Sequence, residues 1–430
     1  MILNEGLETI EYQAFQSDVI LKLELPNSVT KVGEQAFYGN ESLRSVVVKG
    51  TATVGNSSFS GCIALRKVEF QGNTAEISSY MFSGCKQLQE VILPAQLRTI
   101  GSGAFSNCIS LMDVAIPKTV TTIGDSAFKG CTSLKAIEIP EFVTELKYDT
   151  FRNCTALKTV SLPDDFMIMG DSVFNGCTAL NSISLPKNMT QIGKSVFNGC
   201  TSLTTMTIPD RITTIPASFM YGCTGLTTLK LPENLATIYE NAFNNCKSLT
   251  KVTIPNDTKT ISACAFQNCT SLENVTFPDG LKVVGNSAFN GCSALKSVKL
   301  PNTVSTVGGS AFANCAAIEE LTLSSSMKTV ENSTFYGCVK LHKVVVPEGV
   351  TKLEAYAFDS CKAMKYIYLP KTLASIGNYA VRYASCVYYG GSEEAWNNII
   401  ISGYEVHGTN ATLHEAEKHY NATPASLTLL

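Results

Sequence analysis

The sequence predicts an α/β solenoid of about seventeen turns, each 22–23 residues long. Three observations carry this. Phenylalanine recurs every 23 residues at Phe59, Phe82, Phe105, Phe128, Phe151, Phe174 and Phe197, and again from Phe243 to Phe358. Met220 and Val381 fill the two slots without it, and Phe15 and Phe37 extend the series upstream at a step of 22. Fourteen of the sixteen cysteines lie three residues after this anchor, from Cys62 to Cys361. An apolar slot five residues before the anchor holds Ile, Val, Leu or Met in all seventeen turns, from Ile10 to Ile376. One such turn cannot bury its apolar face alone. The unbroken period therefore outweighs the two or three domains that a chain of 430 residues would otherwise suggest.

The elements of one turn follow in order. Leu134, Ile137 and Ile139 form an L-x-x-L-x-L strand pattern whose last two residues alternate at period 2. Equivalents recur at Leu157/Val160/Leu162, Leu180/Ile183/Leu185 and Leu295/Val298/Leu300. Proline follows in most turns, for instance Pro26, Pro94, Pro117 and Pro370, and ends the ladder because it lacks an N–H. The Val-Thr-x-Ile run then predicts a short second strand on the opposite side of the coil. Glycine often follows that run (Gly33, Gly101, Gly124, Gly193, Gly308), which suits a positive-φ turn. Two residues after the anchor, fourteen consecutive turns carry Gly or Asn, from Gly39 to Gly337. These residues tolerate the left-handed conformation that ends a helical turn, so the Ala-Phe segment predicts a short helical or 3₁₀ turn. Stacked turns give a continuous parallel sheet on one, concave, face.

Composition excludes several function classes. The formal net charge is −3, charged residues are 16%, and no Lys/Arg run reaches five, which argues against a nucleic-acid partner. No apolar stretch approaches the length of a membrane span, and no membrane insertion is expected. The first residues of the sequence show no signal-peptide pattern. Leu3 to Ile10 matches the second half of a turn, as at Ile116 to Ile123, so the chain opens in mid-turn. The expectation is that a signal peptide or further turns precede this segment, and the full-length gene tests it.

The cysteine ladder admits two readings, a buried small hydrophobe or a disulfide or metal framework. There is no C-x-x-C pair, and His342, His407, His414 and His419 lie in no ligand spacing. In-register Cβ vectors run parallel rather than converging, which disfavours bridges. Buried free thiols are therefore expected, with no cofactor and no metal. This many thiols implies a reducing or oxygen-poor setting.

The run A-F-x-G-C-x-S-L-x-x-V-x-I-P-x-x-V-T-x-I-G reads almost letter for letter at Ala104–Gly124 and Ala288–Gly308. In this the chain resembles the BspA-like leucine-rich repeat family of bacterial and protozoan surface proteins, over about residues 3–386. Departures are local: proline is missing near Lys49, Gln71 and Ser324, and Asp18 and Asn40 occupy the cysteine slot of the first two turns. Residues 387–399 are similar to the C-terminal segment of such proteins in anaerobic gut Firmicutes. The resemblance implies a leucine-rich repeat fold and a secreted or cell-surface role in adhesion to a host or neighbouring-cell protein or glycan. It supplies no catalytic residues.

The expected organisation is a solenoid over 1–386, a cap over 387–408 and a tail over 409–430. Ser392 can N-cap a short helix through Ala395–Ile399, with Trp396, the sole tryptophan, covering the last open rung. The tail offers His414, Glu415, Glu417 and His419 to a metal, but a solvated tail is the favoured reading of them. Function is expected at the outward strand positions, which are rich in Ser and Thr in mid-chain. The ligand-contact candidates are Ser161, Ser184, Thr207, Lys230, Thr253, Thr276, Lys299, Lys343, Tyr366 and Tyr368. The alternative for the Thr stripe is structural, because Thr suits exposed strands. The alternative for the tyrosine pair is packing under the cap. Asn-x-Ser/Thr triplets such as Asn153 and Asn268 fall in the left-handed turn slot, which explains them without glycosylation. No Ser/His/Asp grouping, phosphate loop or carboxylate pair stands out, so a binding module is expected, with a structural spacer as the alternative and an enzyme disfavoured.

Overall fold

The computed structural model describes residue 1, residues 3–405 and residues 408–427. His407 lies outside the described residues. The chain forms a β-solenoid of about seventeen turns with parallel strands and very little helix. It divides into two compact units, Met1–Arg211 and Ile212–Leu430. Each unit is a stack of the same coil.

In the first unit, Ile137 and Val160 lie at the centre of strands Ala136–Glu138 and Thr159–Ser161, which pair parallel and in register. The alternation predicted from the sequence holds: the central residue of each is buried and its neighbours are exposed. The short second strand is also real. Thr99–Ile100 and Thr122–Ile123 pair parallel, with both isoleucines buried. The main sheet is not continuous in strand geometry, contrary to expectation. Lys22–Leu25, Ser45–Val48, Lys67–Phe70 and Glu90–Ile92 pair in sequence. The next coil, residues 111–117, has no regular strand, and residues 180–186 retain a single bridge, Ser182 to Thr159. These coils place Asp113, Ala115 and Asn181 at or beside strand positions, and all three residue types are poor strand formers.

The anchor segment is the main correction to the sequence reading. It contains no helical turn. Around Phe128, Ala127 N–H donates to Gly124 O, Lys129 N–H to Ser126 O and Cys131 N–H to Phe128 O, giving three overlapping four-residue turns. The alternate amides leave the coil altogether. Ser126, Phe128 and Gly130 donate to Tyr148, Thr150 and Arg152 of the next coil at 2.8–2.9 Å. The reason is a second left-handed residue. Gly130 has φ of 73°, as expected, but Ser126, two residues before the anchor, also has φ of 55°. A left-handed residue breaks the helical path and turns the following amide toward the neighbouring coil. Every one of the seventeen turns has a positive φ at this earlier slot, from Gln13 to Tyr379. The glycine after the second strand has a different job from the one expected. Gly124 is not left-handed, but a Cβ there would lie 2.5 Å from the backbone nitrogen of Ser102. Neighbouring coils approach each other closely at this point.

The core is a column of rings and thiols. From Phe15 to Phe197, successive anchor rings stack with centroids 5.2–5.8 Å apart and planes within 16° of parallel. In the second unit the column runs from Phe243 to Phe358 at 5.2–5.6 Å. Where Met220 fills the slot, the adjacent Phe219 ring meets Phe243 edge-on at 6.4 Å. Offset stacking of this kind adds to the area each ring buries.

The cysteine beside each anchor is more than a small hydrophobe. Cys154 Sγ donates to Phe128 O of the preceding coil at 3.1 Å, and Cys85, Cys108, Cys131 and Cys177 repeat the contact at 3.1–3.2 Å. The same bond recurs from Cys246 to Cys361 in the second unit. Asn40 shows what the slot requires. It is fully buried, and its Nδ2 donates to Phe15 O at 2.6 Å. The slot wants a compact donor for a buried carbonyl, which cysteine supplies without the desolvation cost of a hydroxyl. Cys264 lies outside the ladder because it occupies the left-handed slot before Phe266, with φ of 57°.

The C-terminal end closes the second unit. Ser392 Oγ accepts from Ala395 N at 3.2 Å and caps a helix, Glu393–Trp396, that ends earlier than expected. Trp396 is buried, packs edge-on against Tyr389, and donates from Nε1 to Tyr404 Oη at 3.2 Å. The strand Glu417–His419 then adds in parallel to Cys386–Tyr389.

Candidate functional site: the outward face of the sheet

Period-2 alternation leaves two outward positions per coil, flanking a buried residue. In the first unit Ser161 and Thr207 are exposed on strands Thr159–Ser161 and Thr205–Thr207. Ser184 is exposed but lies outside any strand, so its side chain is not held in a sheet register. Charges on this unit neutralise one another locally. Lys67 Nζ lies 2.8 Å from Glu90 and 3.6 Å from Glu69. A shallow depression of about 440 Å³ at the strand ends is lined by Glu138, Ser161, Asp164 and Asp165.

In the second unit Lys230, Thr253, Thr276 and Lys299 are exposed on successive strands, and Lys343 is exposed beyond the strand Glu320–Thr322. Lys251 and Asn274 complete this face, because Lys251 pairs with Asn274 and Thr253 with Thr276 across adjacent strands. Lys230, Lys251, Thr253, Asn256 and Asp257 line an open depression of about 740 Å³. Its lining is mixed: Leu229, Leu231, Ile254 and Pro255 alternate with ammonium, hydroxyl and carboxylate groups, on backbone fixed by ladder hydrogen bonds. Lys251 was not among the sequence candidates; its outward alternation with Val252 was the available signal. Further along, Lys299 and Glu320 pair at 3.1 Å, each 69% exposed. An ion pair this exposed contributes little stability.

The remaining candidates are already engaged. Lys343 Nζ donates to Leu427 O at 3.1 Å, because the 3₁₀ segment Pro424–Leu427 packs against the strands holding Lys343 and Tyr366. Tyr366 is half-buried, with Lys365 Nζ 5.1 Å from its ring centroid. Tyr368 is 1% exposed, and its hydroxyl donates to Glu348 Oε1 at 2.7 Å. Burial, with that carboxylate beside it, pushes the phenol above its usual range. Tyr368 thus packs within the C-terminal end. The histidine-rich tail divides in two. The His414 ring packs edge-on against Tyr404 at 5.2 Å, whereas Glu417 and His419 sit on the last strand. Among the described residues, no helix is long and apolar enough to cross a membrane.

Comparison with solved structures agrees with the architecture. A leucine-rich repeat protein from Bacteroides ovatus superposes with a TM-score of 0.62, at 22% identity over 93% of this chain and 92% of that one. At this identity the likeness shows the fold alone. A leucine-rich cell surface protein from Faecalibacterium prausnitzii aligns at 25% identity over 93% and 94% of the two chains, with a TM-score of 0.41. No curated protein matches the chain. The sequence model of the BspA type leucine rich repeat region matches in overlapping spans from residue 8 to residue 387, in six copies. With nearly the whole repeat array covered, the chain belongs to the BspA-type leucine-rich repeat family.

Proposed function

We propose that the protein is a non-enzymatic binding module, secreted or displayed on the surface of a gut bacterium, that engages a host or neighbouring-cell protein or glycan through the outward face of its sheet. One observation carries the reading. In the second unit, Lys230, Lys251 and Thr253 stand exposed on a rigid parallel sheet around an open depression of about 740 Å³. Repeat proteins commonly use such extended surfaces for recognition. The depression is open and of mixed polarity, which suits many weak contacts with a polymer better than enclosure of a small substrate. The family and fold are those of repeat proteins, and this reading assigns no catalytic residue.

The test is binding of the full chain to arrays of mucin, matrix proteins and glycans. Captured ligands should be lost when Lys230, Lys251 and Thr253 are replaced together by alanine. The triple variant should melt within about 0.5 kcal/mol of the parent, as surface changes do. Equal capture by the variant and the parent would refute this site. A spacer that merely projects another domain would respond to deletion of whole coils and not to these substitutions.

A further inference from the structure

Cys386 is the cysteine left unexplained by both the ladder and the left-handed slot. The final coil is shortened, so register pairs Cys386 with outward-facing Tyr366 and not with any ladder position. On its other side the strand Glu417–His419 adds in parallel, setting Cys386 against Glu417 and Tyr388 against His419. Residues two apart on a strand share a face, so the thiol, carboxylate and imidazole converge. The Cys386 Sγ, a Glu417 oxygen and a His419 ring nitrogen all lie within 4.8 Å of one another. Glu417 Oε1 is 3.1 Å from His419 Nε2, and the His419 ring stacks on Tyr388 with centroids 4.6 Å apart.

We propose that Cys386, Glu417 and His419 bind a zinc ion. A thiolate, an imidazole and a carboxylate are the three donor types that zinc accepts together, at about 2.0–2.3 Å each, with a fourth position open. Cys386 is 5% exposed and fixes the floor of the site. The Glu417 and His419 side chains are 69% and 42% exposed, so an ion can replace their mutual contact and leave the fourth position to water. Charge balances: one thiolate and one carboxylate neutralise the dication, so nearby Lys365, whose ammonium sits over Tyr366, meets no net positive centre. As the sulfur–zinc bond forms, the thiol proton passes to solvent. The bound ion ties the terminal strand to the strand before it, so it acts as a clip on the end of the stack. This inference is independent of what the outward face binds.

The experiment titrates the full chain, stripped with a chelator, with zinc against a chromophoric competitor and with cobalt(II) as a spectroscopic probe. The expected result is one ion per chain and a thiolate-to-cobalt charge-transfer band. Cys386→Ser should abolish the band, and His419→Ala should abolish stoichiometric binding. Zinc should raise the melting temperature of the parent but not of His419→Ala. Since His419 is a surface residue, that variant decides the matter even if Cys386→Ser folds poorly. No stoichiometric uptake, a cobalt spectrum without the thiolate band, or unchanged binding by His419→Ala would overturn the proposal.

Discussion

The turn edge and the outward sheet face of each coil obey opposite rules. At the turn edge Phe, Cys and a left-handed residue recur almost without change, because each touches its own copy in the next coil. On the sheet face the outward pair changes from Lys67 and Glu69 to Thr159 and Ser161, then to Lys251 and Thr253. Nothing in the stacking constrains that pair beyond tolerance for a strand. Regularity therefore marks the residues that build the stack, and variation marks those free to recognise something else.

The largest effect that tests this contrast is alkaline unfolding. Burial pushes the Cys62, Cys131 and Cys177 thiols up to about 12. In the unfolded chain a thiol ionises near about 8.5. The stability these thiols contribute is fully present below that value. It falls as pH rises toward the folded value, by about 1.4 kcal/mol per thiol per pH unit. Urea midpoints measured under reducing conditions should be flat below about pH 8 and should fall steeply above about pH 9. A flat profile to pH 11 would contradict the buried ladder.

Truncating one ring comes next. Phe151→Ala removes a fully buried member of the column and should lower stability by about 3–5 kcal/mol in a denaturant melt. Ser172 tests the second left-handed slot, where φ is 58°. Ser172→Val should cost about 1–2 kcal/mol, because a β-branched residue resists that conformation. Ser172→Gly should be nearly neutral, since the strain it relieves is offset by the entropy of a freer unfolded chain. The smallest effect belongs to the sheet face. Thr253→Ala should change the melting midpoint by no more than about 0.5 kcal/mol. A loss as large as that of the ring would erase the distinction between the two edges.

Much of this was legible in the chain. The Phe column, the Ile slot of the second strand and the Gly or Asn after the anchor all follow from side-chain demands that recur at a fixed step. The earlier left-handed residue is not legible in the sequence because Ser, Gln, Tyr, Asn, Asp, Cys and Gly all occupy it, so composition hides a backbone conformation that the stack enforces. For the same reason the anchor segment read as a helical turn. Its amides satisfy carbonyls of the next coil, and such partners are not local in sequence. The donor role of the thiol is equally hidden in the sequence; the structure reveals it, with Asn40 making the equivalent bond to Phe15 O.

The 23-residue beat by itself determined that the chain stacks, because a coil that cannot bury its own ring needs an identical neighbour. Tertiary structure decided what lies beyond the beat. It folded Pro424–Leu427 onto the strands of Lys343 and Tyr366 and buried Tyr368 against Glu348. It also set Cys386 beside Glu417 and His419, which are about thirty residues apart in the chain. Those meetings depend on the register of a terminal strand, and register is fixed by which faces are buried, a property no local stretch of sequence contains.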